Sequence, residues 1–192
     1  MTATTQVNAI SLKGSTKTVT EYFAFAINQI LYLRQVYPSN CFTTRPAYDL
    51  QLPVAQDEKL NAYLTQVLNI TAQWLMTGQV KKIVLAILAG EKAIECWEFN
   101  VDSDTATNSD AKREIQAVMR QITASVSFLP VISEKVIFDI QVHADENALP
   151  PQGWETTKEA LIQGQSVDFR KFQTGVHSVG TRVVYEERGG DI

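Results

Sequence analysis

Cysteine and histidine are nearly missing from this chain: Cys41 and Cys96, His143 and His177 are all that 192 residues offer. No Cys-x-x-Cys pair occurs, so neither a structural zinc site nor any other metal site is expected. The two thiols read as buried small hydrophobes of a reducing compartment rather than a disulfide. Each histidine falls in or beside a strand-like run, where a hydrogen-bonded structural role is expected. Positive charge is also thin. Lys and Arg scatter from Lys13 to Arg188, nowhere denser than Lys81-Lys82, and the net charge is -4. A nucleic-acid groove needs a concentrated basic patch, so no direct nucleic-acid binding is expected. No apolar run nears the length of about 18 residues that a membrane span requires. The opening MTATTQVNAI lacks the basic-then-apolar order of a leader, which predicts a soluble, intracellular protein.

Catalytic signatures are absent as well. Gly14-Ser15-Thr16-Lys17 has no upstream glycine and no strand-loop-helix context for a phosphate loop. There is no G-x-S-x-G elbow. Asp102-Ser103-Asp104 hints at a calcium loop, but Arg113 stands where the closing bidentate glutamate belongs. The chain therefore reads as a non-enzyme that needs no cofactor.

What is present is a full-sized core: 45% of residues are hydrophobic and 20% charged, as in one globular domain. From about Thr16 to Tyr37, Val19, Tyr22, Phe23, Ala26, Ile27, Ile30 and Leu31 recur at helical spacing, and Phe25 and Leu33 widen the face. A helix apolar on most sides belongs at the centre of a domain. Ser15 is its expected N-cap and Pro38 its stop. An irregular segment with two prolines follows. A second helix is predicted from Asp57 to Met76, with Gly78 just beyond its end. Lys82–Ala89 and Ala93–Asn100 read as a hairpin turning at Gly90-Glu91-Lys92. A polar loop, Asp102 to Asp110, leads to a third helix capped by Ser109 or Asp110 and reaching about Ser125. Its inner face is Ile115, Val118, Met119, Ile122 and Val126. Lys135–His143 is a third strand. Three helices on a sheet make an α+β arrangement.

On the third helix, Gln116, Ala117, Arg120, Gln121 and Ala124 form a short-chained, acid-free strip, either a solvated face or a docking face. The stretch Ala144–Asp168, with Pro150-Pro151, Gly153 and Gly164, is too long for an ordinary connection. Beyond it, Val167–Thr174 and Val179–Glu187 form a final hairpin around a turn containing Gly175 and Gly180. A tether of about 25 residues spans up to about 80 Å, against a radius of gyration of about 16 Å for the domain. It can carry the hairpin from one side of the sheet to the other. If the third strand lies at an edge, either the hairpin or a foreign peptide could cover it.

ISLKGSTKTVTEYFAFAINQILYLRQVYP, Gln73-Trp74-Leu75, AVMRQITASVSFLP (Ala117–Pro130), FDIQVHADENALPPQGWE and FRKFQTGVHSVGTRVVYE (Phe169–Glu186) together resemble the HORMA-domain, mitotic arrest deficient family of the spindle assembly checkpoint over essentially the whole chain. The resemblance implies a single HORMA domain: a core of about 10–143, with three helices on a mainly antiparallel sheet, and a mobile C-terminal safety belt of about 144–192. In the open form the hairpin covers the edge strand Val136–His143. In the closed form it moves to the strand around Trp97, and a partner peptide takes the vacated edge beneath the tether.

The same resemblance implies site residues. Val136, Phe138, Ile140 and Val142 would form the peptide edge. Trp154, Phe169, Phe172, Val176, His177, Val179, Val183 and Tyr185 would form the belt and hairpin. Arg120, Gln121 and Phe128 would form the interface for dimers of open and closed conformers and for an adaptor. Leu12, Trp97 and Thr181 would set the conformer balance, Thr181 aligning with a serine linked to phosphoregulation. The implied partners are a coiled-coil kinetochore receptor, the cell-division-cycle activator of the anaphase-promoting complex, a comet adaptor and an AAA+ remodelling ATPase. The implied places are nucleus, kinetochore and cytoplasm, with no membrane partner. A HORMA subunit of a translesion DNA polymerase is the alternative.

Overall fold

In the computed structural model, which describes residues 3–105 and 110–187, with side chains from residue 12 on, the first helix takes the central place that its apolar surface demands. Helix α1 (Ala3–Leu33) buries Val19, Tyr22, Phe23, Ala26, Ile27, Ile30 and Leu31 to 1% exposure or less. It packs on the other two helices, the first hairpin and the last strand. The expected cap at Ser15 is not observed. The helix runs on through Gly14, and the buried Ser15 hydroxyl is engaged in a tertiary contact instead. At the other end the helix stops at Leu33, short of Tyr37, because Gln35 turns into the left-handed region at φ 55°.

The segment expected to be irregular is a ribbon of β1 (Phe42–Ala47) and β2 (Leu50–Ala55). Its prolines, Pro46 and Pro53, disguised it. In a two-stranded ribbon both strands are edges, so a missing N–H can face away from the pairing. Tyr48 and Asp49 make the tight turn with φ of 52° and 57°.

Helix α2 (Glu58–Met76) starts at Asp57, whose carboxylate accepts from the Leu60 N–H at 2.9 Å. Gly78 follows its end at φ 69°, a left-handed position that suits glycine. Helix α3 (Ala111–Ser125) is capped by Asp110, which accepts from the Arg113 N–H. Ser109, the other expected cap, lies outside the described residues, as does most of the polar loop before it. Ile115, Val118, Met119 and Ile122 are fully buried, but Val126 is 39% exposed. The helix has ended there, and Ser125 occupies the last inward position at 1%.

The main sheet contains β3 (Val80–Ala89), β4 (Lys92–Ser103), β5 (Ile137–Ala144), β6 (Gln165–Asp168), β7 (Phe172–Gln173) and β8 (His177–Tyr185). Its order is β5-β3-β4-β8-β6, all antiparallel, with β7 also on β8. Lys92, expected in the turn, opens β4, and β4 runs on into the expected loop as far as Ser103. The two β-prone runs of the tail become three strands, because β6 recruits the last residues of the tether. Gly175 is in a turn at φ 85°, but Gly180 sits within β8 opposite Asn100. The unbroken apolar run of β3 has a structural cause: both faces are covered. Ile83, Leu85 and Ile87 belong to the main core beneath the helices, while Val84 and Ala86 join Cys96 in a second cluster on the outer face.

Candidate functional site

Strand β5 pairs with β3 on one side only; among the described residues no strand lies on its other side. Its alternating side chains divide cleanly. Phe138, Ile140 and Val142 pack into the main core, Phe138 edge-on to Tyr37 at 5.9 Å and to Tyr63 at 5.7 Å. Asp139, Gln141 and His143 form the alternate row, and the chain following β5 crosses over that row. An edge of this kind presents unpaired backbone N–H and C=O groups to any extended chain that arrives.

The tether rounds this edge. It leaves β5 with the Asp145 N–H donating to the Gln79 carbonyl at 2.8 Å. Trp154 then stacks edge-on against Trp74 of α2, with ring centres 6.0 Å apart. By Lys158–Ile162 the chain has crossed to the outer face, where Ala160 and Ile162 cover Val84, Ala86 and Cys96. Between the tether and β5 lie cavities of about 350 and 390 Å³, both lined by Ile140 and Trp154. A third, of about 450 Å³, lies on the outer face beside Asp139 and Gln141. Ile137 is 58% exposed, Leu149 85% and Leu161 76%. A larger groove of about 1070 Å³ runs between α1 and α2 and shares no residue with this edge.

The terminal hairpin occupies the opposite side of the sheet. Inward residues of β8 meet inward residues of β4 in register: Tyr185 with Glu95, Val183 with Trp97, Thr181 with Phe99, and Val179 with Val101. Val179, Val183, Tyr185 and Trp97 are all buried, as is Phe172 of β7, which lies 4.8 Å from the Tyr22 ring. Phe169 is half-buried, its ring 5.8 Å from that of Trp97. Val136 is half-buried just before β5, and Val176 is half-buried in the turn entering β8. Of the two hairpin positions that the resemblance implies, this is the one on the Trp97 strand.

His177 anchors that position. Its Nδ1 lies 2.6 Å from the Ser15 hydroxyl, and the ring donates to the Leu75 backbone, so one side chain ties β8 to α1 and α2. Burial holds its pKa below the ordinary 6.5, which keeps the ring neutral. His143 is also held low, by burial and then by Lys82. The Cys96 thiol is pushed up to about 12, chiefly by burial. It is no nucleophile, and both cysteines are free.

The residues expected at an interface are less uniform. Arg120 is exposed, but Gln121 is half-buried and accepts from the Arg170 N–H at 2.8 Å. Gln116 likewise donates to the Tyr48 carbonyl. Phe128 is 45% exposed and lies 6.5 Å from the Tyr185 ring, so it is not core packing. Leu12 is half-buried in α1, and Thr181 is 3% exposed, bonded to the Tyr22 hydroxyl. Sequence reasoning missed Tyr22 as a hairpin partner, Ser15 as an anchor and Gln141 as a contact of the tether. None of the three left a local signal, since Gln141 is one of three polar residues that alternate along β5. Among the described residues, no group of three or more His, Cys, Asp or Glu could hold a metal, and no helix is long and apolar enough to cross a membrane.

Comparison with known proteins gives this geometry a context. The family model "HORMA domain" matches residues 15–177. The mitotic spindle assembly checkpoint protein MAD2A of Dictyostelium discoideum is 40% identical, over 92% of this chain and 93% of its own. MAD2A of Homo sapiens is 36% identical over the same shares. A chain in the crystal structure of the mitotic checkpoint complex superposes with a TM-score of 0.87 at 31% identity, covering 91% of this chain and 99% of that one. C. elegans HTP-2 bound to the HIM-3 closure motif shares the fold at TM-score 0.79 and 11% identity, over 92% of each chain.

Proposed function

Because the chain belongs to the HORMA-domain family, among the MAD2 spindle-checkpoint proteins, we propose that it is a non-catalytic checkpoint adaptor that traps short partner peptides beneath its C-terminal belt. One observation carries this reading: among the described residues β5 is paired on one side only, and the tether to the terminal hairpin passes around its other edge. A peptide adding to β5 would bind through backbone hydrogen bonds, which tolerate many sequences, and its alternate side chains would enter the cavities beside Ile140 and Trp154. Enclosure would act mainly on the off-rate, since release requires the belt to open.

In this reading the core covers about 10–143 and the belt about 144–192. Val136, Phe138, Ile140 and Val142 form the receiving strand, with Trp154 the tether's anchor on α2. Phe169, Phe172, Val176, His177, Val179, Val183 and Tyr185 hold the hairpin in its closed position. Arg120, Gln121 and Phe128 present a face to an open copy of the chain or to a comet-type adaptor, and Leu12, Trp97 and Thr181 bias the conformer balance. The peptides come from a coiled-coil kinetochore receptor and from the activator of the anaphase-promoting complex, and an AAA+ ATPase reopens the belt. The protein then works at kinetochores, in the nucleus and in the cytoplasm. The polymerase-subunit alternative is not favoured, because the relatives at 40% and 36% identity are spindle-checkpoint proteins.

Removing residues 183–192 tests the trap. It deletes the buried Val183 and Tyr185 from β8; the last five residues lie outside the described part. Capture of the anaphase activator from mitotic extract should fall to background. Full retention by the shortened chain would contradict enclosure, and recovery of polymerase subunits without the activator would favour the alternative.

A further inference from the structure

Building on the peptide-trap reading, we infer that Gln141 is the clasp of the belt, a positioning residue that sets how slowly an enclosed peptide leaves. Its side chain is 9% exposed on the outer face of β5. Oε1 accepts from the Ala160 N–H at 3.0 Å, and Nε2 donates to the Lys158 carbonyl at 3.2 Å. Nε2 also lies 3.2 Å from the Asp139 carboxylate. A carboxylate accepts only, so this contact sets which way round the amide sits.

In an extended chain, the carbonyl before Glu159 and the N–H after it face the same way. They are the pair that a neighbouring antiparallel strand would satisfy. One primary amide thus does a strand's work for the belt. The backbone edge of β5 stays free for a ligand, while the side chain above it fastens the cover. Glu159, between the two bonded groups, reaches Lys82 of β3 at 2.5 Å. Ala160 rests on the cluster of Val84, Ala86 and Cys96. Three consecutive belt residues are therefore held to the sheet. The ion pair is 38% exposed on the Glu159 side and weak on its own, so the buried amide supplies most of the hold.

The clasp can be read without a ligand. Lys158 is the single trypsin site between Lys135 and Arg170, and its carbonyl is the group that Gln141 holds. In the full chain, Gln141→Leu should speed cleavage after Lys158 about tenfold, the scale of two lost net hydrogen bonds. Cleavage after Arg170 in the same digest should not change, which separates belt opening from unfolding. A fluorescent peptide selected on the wild-type chain from a random library should dissociate about tenfold faster from the variant. Gln141→Glu provides a second probe. It keeps the acceptor for Ala160, loses the donor to Lys158 and faces Asp139, so it should quicken both rates.

Wild-type rates of cleavage and peptide release in both variants would overturn the clasp. A library that yields no binder to the wild-type chain would overturn the trap reading beneath it. The digest then decides by itself whether Gln141 fastens the belt.

Discussion

Thr181 points inward from β8 and shares a 2.7 Å hydrogen bond with the Tyr22 hydroxyl, beside the rings of Phe23, Phe99 and Phe172. A buried phenol with no partner is costly, so this contact holds the hairpin at one register on β4. His177 does the same about two turns of α1 earlier, through Ser15. Its behaviour with pH follows from burial. The folded pKa lies below 6.5, so near pH 6 the unfolded chain binds more protons than the folded one. Stability present above pH 6.5 is therefore lost as pH falls through the unfolded value towards the folded one. Thermal melts between about pH 7.5 and pH 5.5 should show a falling midpoint. His177→Gln, which cannot be protonated, should flatten the slope; an equally steep slope in the variant would remove His177 from the account. His143 contributes in the same direction and leaves a residual slope.

Among elements, β6 is the most demanding in its geometry. A Cβ built on Gly164 would lie 2.1 Å from the Tyr185 carbonyl oxygen and 2.8 Å from its carbon, both backbone atoms that cannot step aside. The tether reaches the sheet at this point, so only glycine allows the backbones to approach that closely. Gly164→Ala should separate β6 from β8 at a cost of about 1–3 kcal/mol. The check is hydrogen exchange: amides of Gln165–Asp168 should exchange faster, while those of β3 keep their protection. Uniform protection throughout would show that β6 contributes nothing to holding the belt. Elements with strong periodicity were legible from residues alone, as α2 and the buried face of α3 illustrate. The β1–β2 ribbon was not, because prolines are read as breaks and only the ribbon's two free edges make them harmless. Ser15 was misread for a related reason: a hydroxyl before an apolar run looks like a cap unless its partner, 162 positions away, is known.

For the molecule as a whole, one buried ion pair joins three parts of the chain. Arg34, just past α1, pairs with Glu95 of β4 at 2.8 Å, with side chains 6% and 3% exposed. It also donates to the Pro130 carbonyl at 2.6 Å, while the Trp97 indole donates to Glu95 at 2.7 Å. Tyr185 of β8 stands opposite Glu95 in the register. Arg34→Ala leaves a buried carboxylate without its cation and should destabilise the chain by about 3–5 kcal/mol in urea titration. Adding Glu95→Gln should recover part of that loss, because no unpaired charge remains. A double variant no better than the single one would show that packing, and not charge, carries the effect.

The sequence by itself determined the central helix, the two peripheral helices, the β3–β4 hairpin, a third strand, and a tether long enough to move a hairpin. These follow from local periodicity, caps and chain length, which need no knowledge of distant residues. Its long co-linear matches also placed the chain in its family. Only the tertiary structure decided which edge of the sheet the hairpin occupies and which is left open. Backbone pairing is nearly indifferent to side-chain identity, so alternating residues such as Val179, Val183 and Tyr185 suit more than one edge. The choice falls to contacts between residues far apart in the chain: Ser15 with His177, Tyr22 with Thr181, and Gln141 with the belt that crosses it.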